Sequence, residues 1–392
     1  MCIESIELRN YRLFRHAELK DLQRFVIVVG ANGSGKSTLF DVFSFLKEAL
    51  AQNVVSAVKR RGGFRELVSR GEAGPIGITV KFRESSGRLV TYQLKIGEDE
   101  GQPVVERETL KFRRGQHGWP ENVMDFSRGK GWIITDEVAY EQKDVEAGRK
   151  EEYDQKDPSV LAIKGLGQFK KFRVASEFRS LIENWHISDF HISDARLSAE
   201  AGYAEHLSSH GDNIAQVAQY LYEKHPDCFK KVLQAMQERV PGVSKVEAKL
   251  TEDDRLVLRF QDGSFKDPFI ARYVSDGTIK MFAYLILLHD PKPHPLLAVE
   301  EPENQLYPGL LRELVEEFRD YARRGGQVFV STHSPDFING AQLEEIYWLV
   351  KKDGFSEIRR ASESELLRNL VAEGDLPGTL WKQGLFEGAC PR

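Results

Sequence analysis

The chain of 392 residues is poor in cysteine: only Cys2, Cys228 and Cys390, far apart and without metal-ligand spacing. This excludes a disulfide framework and a cysteine-built metal centre, and fits a reducing, cytoplasmic setting. No apolar run approaches the ~20 residues needed to span a bilayer, which excludes an integral helical membrane protein. The opening Met1-Cys2-Ile3-Glu4-Ser5-Ile6-Glu7 lacks a basic flank followed by an apolar block, so no secretory signal is expected. Internal repeats and low-complexity tracts are also missing. Neither charge predominates: 55 Lys and Arg stand against 60 Asp and Glu, a net charge of −5. A uniformly basic nucleic-acid binder is thereby excluded, although a local basic stripe is not. The 41% hydrophobic and 29% charged content is that of a soluble globular protein. Its length suits two or three domains, or one folding unit with insertions.

What is present begins with Gly30-Ala31-Asn32-Gly33-Ser34-Gly35-Lys36-Ser37-Thr38, a complete phosphate-binding loop between an apolar strand (25–29) and a helix-like run (39–50). The glycines let successive amides turn inward around phosphate, and the helix presents its free N–H groups and positive dipole end to the same anion. Lys36 is placed to reach the β- and γ-phosphates, and the Ser37 hydroxyl to ligate Mg²⁺.

Further on, Leu296-Leu297-Ala298-Val299-Glu300-Glu301-Pro302-Glu303-Asn304 is an apolar strand ending in carboxylates. Glu300 suits the Mg²⁺ shell, directly or through water, and Glu301 suits polarising a water aligned on the γ-phosphate. A second apolar strand (328–331) runs into Thr332-His333-Ser334-Pro335, placing His333 at a strand's carboxyl end, where ligand sites of open α/β sheets gather. His333 is a candidate to sense the γ-phosphate or orient water, or else a hydrogen-bonded loop histidine. Val274-Ser275-Asp276-Gly277-Thr278 precedes an apolar helix, with Ser275 and Asp276 available as caps.

The opening should form a strand continuing towards the P-loop. Segments 76–82, 90–96 and 104–112 read as an antiparallel accessory sheet. The charged stretch 132–158 is expected to be an exposed helix or mobile segment. Apolar residues at helical spacing over 169–240 suggest a helical insertion, much too short for a long coiled-coil arm. Strand-like alternation over 243–260 is followed by alternating helix and strand, the order of a mostly parallel sheet. The expected division is 1–112, a first lobe with the phosphate-binding loop and accessory sheet; 113–242, charged linker and helical insertion; and 243–392, a second lobe with the Ser275–Thr278 turn, acidic strand, histidine and C-terminal tail.

This ordered set resembles the ATP-binding-cassette-class heads of the structural-maintenance-of-chromosomes and RecF-like superfamily, over most of the chain. The resemblance implies a P-loop α/β fold, a mostly parallel core sheet, an ATP and Mg²⁺ requirement, and head-to-tail dimerisation in which Ser275 and Gly277 complete the partner's ATP site. Ser-Asp-Gly-Thr departs from the superfamily's usual Ser-Gly-Gly core. Asn10-Tyr11-Arg12-Leu13-Phe14 is similar to its first hairpin, which implies that Arg12 points to the nucleotide. Arg61-Gly62-Gly63-Phe64 and the motifs above look most similar to compact bacterial AAA-21 predicted ATPases, which resemble the ATPase half of overcoming-lysogenization-defect nucleases and are associated with phage defence. No glutamine-loop motif stands out; Gln168 is a weak candidate. The stretch after His333 is too short for a complete TOPRIM nuclease domain.

The resulting expectation is a Mg²⁺-dependent ATPase switch, a homodimer or higher oligomer controlling a separate nuclease-like effector, with a DNA repair or recombination clamp as the alternative. Two basic clusters, Lys59-Arg60-Arg61 and Lys164 with Lys170-Lys171-Phe172-Arg173, are candidates for DNA or RNA contact. The C-terminal Leu380, Trp381, Leu385 and Phe386 are expected either to dock on the chain's own core or to fill a partner's groove.

Overall fold

The computed structural model describes residues 1–113, 119–135, 137, 140 and 150–389. They form two compact units: Met1–Trp185 with Gln342–Asp375 and Gln383–Arg392, and His186–Ala341 with Leu376–Lys382.

In the first unit, eight strands form a wholly antiparallel sheet ordered Phe14–Leu19, Cys2–Tyr11, Ile76–Arg83, Leu89–Asp99, Gln102–Arg113, Pro120–Ser127, Lys130–Ile134, Lys150–Asp154. One face is apolar and buried, as period-two alternation requires; Ile76, Ile78, Val80 and Phe82 on one strand and Val90, Tyr92, Leu94 and Ile96 on its neighbour carry it. The P-loop strand Phe25–Val29, buried throughout, runs parallel to Ile346–Lys352, which in turn pairs antiparallel with Phe355–Arg360.

The second unit holds three parallel strands, His186–Ser188 beside Leu296–Glu300 beside Gln327–Thr332. The apolar helix Asp276–Leu288 and the amphipathic helix Leu311–Arg323 belong to this unit. A small antiparallel sheet joins Ala199–Glu200, Arg255–Asp262, Val243–Leu250 and Phe269–Ile270, with helices Ile214–Lys224 and Pro226–Arg239 in the same unit.

Several expectations change. The largest sheet is antiparallel, not accessory in size, so the observed pairing does not establish a mostly parallel core. The region 169–240 is not wholly helical, since His186–Ser188 enters the parallel ladder. Of the charged stretch 132–158, residues 132–134 and 150–154 are strand and 155–158 are not, while 136, 138–139 and 141–149 lie outside the described residues, as does Cys390. The C-terminal anchors are internal: Leu380, Trp381 and Phe386 are buried. Thr379 N donates to Asn339 Oδ1 at 3.1 Å, and a side chain at Gly378 would strike the Pro335 carbonyl. The Phe386 ring stands edge-on to Trp348, 5.5 Å between centroids. No helix among the described residues is long and apolar enough to cross a membrane.

Candidate functional site

The P-loop belongs to the first unit. Helix Lys36–Ala51 starts at a left-handed Gly35 (φ 104°), without a side-chain cap and without an acidic residue in its first turn. Its first amides are therefore open to an external anion. Gly33 is also left-handed (φ 75°) and has open space where a Cβ would be; Gly30 and Gly35 are crowded, a Cβ on Gly30 falling 2.3 Å from Ser34 Oγ and one on Gly35 falling 2.8 Å from Ser356 Oγ. Lys36 is buried, its Nζ donating to the carbonyls of Gly30 at 2.8 Å and Ala31 at 3.3 Å. Its charge thus lies at the loop's own concavity. Asn32, Gly33 and Ser37 are exposed, Thr38 half-buried, and Ser34 buried with an unpaired Oγ.

Ser356, which the motif reading missed, supports this loop. Its Oγ donates to Ser34 O at 2.6 Å and its N–H to Leu13 O at 2.8 Å, so one buried serine ties the P-loop to the opening hairpin. No local sequence signal marks it, because its partners lie more than three hundred residues away.

Arg12 stands beside the P-loop helix. In a left-handed turn (φ 48°), it pairs with Asp41 of the P-loop helix at 3.0 Å. Asp41 also accepts from Tyr11 OH at 2.8 Å and Arg61 Nε at 2.8 Å, and Arg61 reaches Glu48 at 2.6 Å. Arg61 is therefore a buried structural cation, not an exposed phosphate contact. The second basic cluster is also largely engaged: Lys164 caps the end of the P-loop helix through Ala51 O and Gln52 O, Lys171 pairs with Glu151, Arg173 with Glu84, and Phe172 is buried. Gln168 is exposed and leans on Lys164 O at 3.3 Å.

The acidic strand and His333 belong to the second unit. Glu300 closes the strand Leu296–Glu300 opposite Ser331. Glu301 continues the ladder, donating its N–H to Ser331 O at 2.9 Å, but has a left-handed φ of 43°. Such strain in a non-glycine residue gathers at functional positions. Asn304 Nδ2 donates to Glu301 Oε2 at 3.2 Å, while His333 Nδ1 lies 3.5 Å from Glu301 and 3.6 Å from Glu303. Glu303 accepts from Thr332 Oγ1 and from the His333 amide.

The Ser-Asp-Gly-Thr turn is in this unit too. Ser275 caps Thr278 N at 3.3 Å, Asp276 pairs with Arg196 at 2.5 Å, and a Cβ on Gly277 would lie 2.7 Å from Gln305 O. Gly277 therefore has a packing reason to be glycine, apart from any nucleotide. Lys280, one turn on, is buried and donates to Asn304 O at 2.9 Å; burial pushes its pKa down.

Asp189 was not foreseen. It follows the pairing of Ser188 with Val299, and so reaches the same sheet edge as Glu300. Asp189, Glu300, Glu301, Asn304, Gln305 and Lys280 line one depression of about 470 Å³. A three-residue strand ending in aspartate is too short to read from sequence. The oxygens of Asp189, Glu300, Glu301, Asn304 and Gln305 are hard donors that fit a small divalent cation such as Mg²⁺, as does the exposed Ser37 hydroxyl of the first unit.

A phosphate loop opening a helix, and an acidic turn closing a buried parallel strand, mark a P-loop nucleotide-binding fold. The fold agrees: a structural-maintenance-of-chromosomes head, solved bound to the C-winged helix domain of ScpA, superposes with TM-score 0.54 at 13% identity over 92% of this chain and 97% of that one. Residues 25–339 match the family described as AAA domain, putative AbiEii toxin, Type IV TA system (AAA_21), and the chain belongs to that family. The DNA replication and repair protein RecF of Rickettsia massiliae is 21% identical over 290 residues, covering 71% of this chain and 76% of that protein. RecF of Rickettsia rickettsii strain Sheila Smith is 24% identical over 205 residues, where the match spans about half of each chain, 50% and 53%.

Proposed function

We propose that this protein is an ATP-hydrolysing switch. Lys36 and the amides opening its helix hold the phosphates, with Asn32, Gly33, Ser34, Gly35 and Thr38 shaping the loop. Ser37 and Glu300 hold Mg²⁺, joined by Asp189. The ion, when bound, neutralises charge on the phosphates. Glu301 takes the proton of the attacking water, and His333, poised between Glu301 and Glu303, orients that water. Arg12, held beside the P-loop helix by Asp41, contacts the bound nucleotide. The observation that carries the reading is the built P-loop, with Lys36 turned into the loop's carbonyls at an uncapped helix start. Phosphate release by the purified protein with Mg²⁺ and ATP tests it: activity should be lost in Lys36→Ala, and undiminished activity in that variant overturns it.

ATP closes two copies head to tail, Ser275 and Gly277 of one meeting the γ-phosphate held by Lys36 of the other. The closed dimer then controls a separate effector, a nuclease in antiviral defence, in the cytoplasm; the toxin–antitoxin description of the family supports such a pairing. With Leu380, Trp381 and Phe386 buried, the effector binds elsewhere than at the C-terminal anchors. Co-purification with the neighbouring gene product, and nuclease assays under ATP and ADP, test this. A neighbour that neither associates nor changes activity overturns it.

A second reading, a DNA repair or recombination clamp, is favoured by the solvent face of the antiparallel sheet. Arg9, Gly77, Lys95 and Arg107 form one cross-strand row, and Lys81, Thr91 and Lys111 another. Arg9 pairs with Glu7 and Arg107 with Asp125, and Lys81 stands 4.0 Å from Glu18, so it is Lys95 and Lys111 that offer charge to a phosphate backbone. Salt-sensitive, length-dependent DNA binding that is lost on Lys95→Glu with Lys111→Glu supports the clamp. Equal binding by that variant excludes this face.

A further inference from the structure

A cluster in the second unit has no part in ATP chemistry. His206, Asp290 and His294 bring one ligating atom each to within 4.8 Å of one another. They come from three separate segments: the loop before helix Ile214–Lys224, the turn after helix Asp276–Leu288, and the lead into strand Leu296–Glu300. His206 Nδ1 lies 2.7 Å from Asp290 Oδ2. The His294 ring sits 4.9 Å from the rings of both His206 and His186, centroid to centroid.

The donors are held in place before any ion arrives. Asp290 is 8% exposed, and its second oxygen accepts Lys292 N at 2.8 Å. Tyr321 OH donates to His294 O at 2.7 Å, and Gln327 N to Pro295 O at 2.9 Å, anchoring the segment that carries His294. Hydrogen-bonded ligands of this kind are what metal sites use to fix first-sphere geometry.

Two imidazoles and one carboxylate are a donor set for a borderline divalent cation, Zn²⁺ above all, rather than for Mg²⁺ or Ca²⁺. Tetrahedral Zn²⁺ with bonds of about 2.0–2.2 Å needs ligand atoms roughly 3.4 Å apart. The 2.7 Å pair has to open slightly, and the other separations, all within 4.8 Å, to settle near that spacing, both within reach of histidine side-chain rotation.

We propose that His206, Asp290 and His294 form a Zn²⁺ site, with water in the fourth position and His186 packed against His294. The ion would staple the loop carrying His206 to the turn between the Ser275-capped helix and the strand ending in Glu300. The other histidine cluster of this unit, Asp189, His191 and His210, is exposed at all three residues and serves as an internal control.

The test uses the full chain, stripped with chelator and dialysed, without nucleotide. Co²⁺ is titrated and followed by visible ligand-field absorption, Zn²⁺ is added in competition, and melting is recorded with and without Zn²⁺. The expected result is one equivalent of tetrahedral Co²⁺, displaced by Zn²⁺, and a rise in melting temperature on Zn²⁺ addition. His206→Ala, which also gives up the 2.7 Å bond to Asp290, should melt somewhat below the wild type without metal, and should bind more than ~10-fold more weakly and show no further rise on Zn²⁺ addition. His191→Ala with His210→Ala should leave both readouts unchanged. Absence of Co²⁺ uptake by the wild type, or equal uptake by His206→Ala, overturns the proposal and leaves a hydrogen-bonded His–Asp pair with packed rings.

Discussion

Thr332 Oγ1 donates to Glu303 Oε1 at 2.7 Å, and the same oxygen accepts the main-chain amide of His333 at 3.0 Å. One carboxylate thus ties the turn after the acidic strand to the end of its parallel neighbour, fixing Glu301 and His333 relative to each other. Glu303→Ala should cost about 2–3 kcal/mol of stability, because a buried hydroxyl and an amide lose a charged acceptor. Glu303→Gln, which keeps a carbonyl acceptor, should cost less. Denaturant unfolding of both variants checks this, and equal losses would contradict it.

Lys36→Ala should weaken ATP binding by roughly 10–100-fold, the worth of charge-assisted hydrogen bonds of about 1.5–3 kcal/mol. Equilibrium binding measured by calorimetry checks it. Unchanged affinity would place the phosphates elsewhere than this loop.

Burial pushes the Glu108 carboxyl up to about 7, against two amides, Ala162 N and Ile163 N, and the Tyr92 hydroxyl, which favour its charged form. The folded protein therefore keeps a proton that the unfolded chain releases nearer pH 4.5. The resulting stabilisation is complete below that range, shrinks as pH rises and is gone above about 7. Glu108→Gln removes this titration. The melting temperature of the wild type, relative to the variant, should fall between about pH 5 and pH 7.5. A difference that is flat with pH contradicts the assignment.

Sharing of sites between copies is tested by mixing Lys36→Ala with Ser275→Arg protein. Each alone lacks one half of every composite site, whereas a mixed dimer regains one intact site. ATPase activity of the mixture should exceed that of either variant. No recovery, with mixed dimers demonstrated, contradicts sharing.

What was legible in the sequence was local. The P-loop works through backbone conformation within nine residues, so its glycines and Lys36 declare it. The strand before Glu300 is likewise a contiguous apolar run. The opening hairpin was readable, but not the fate of Arg12, because its partner Asp41 comes from the P-loop helix. Arg61 looked like part of a solvated cluster; two carboxylates on that helix, Asp41 and Glu48, allow it to be buried. The last strand of the large sheet, Lys150–Asp154, has no apolar alternation and is held at an edge, where pairing does not require a buried face. Asp189 was hidden for a related reason: its position is set by parallel pairing with residues more than a hundred positions away.

The most direct measurement of the central claim is ATP turnover by Glu301→Gln alongside its ATP affinity. The substitution keeps the side chain's size and an acceptor for Asn304 while removing the base. Affinity should stay within a few-fold of the wild type, and turnover should fall by about 10²–10⁴-fold, the usual contribution of a positioned general base. Turnover equal to that of the wild type, with ATP still bound, would contradict Glu301 as the base, and a wild-type protein that binds ATP without turning it over would contradict the hydrolytic switch.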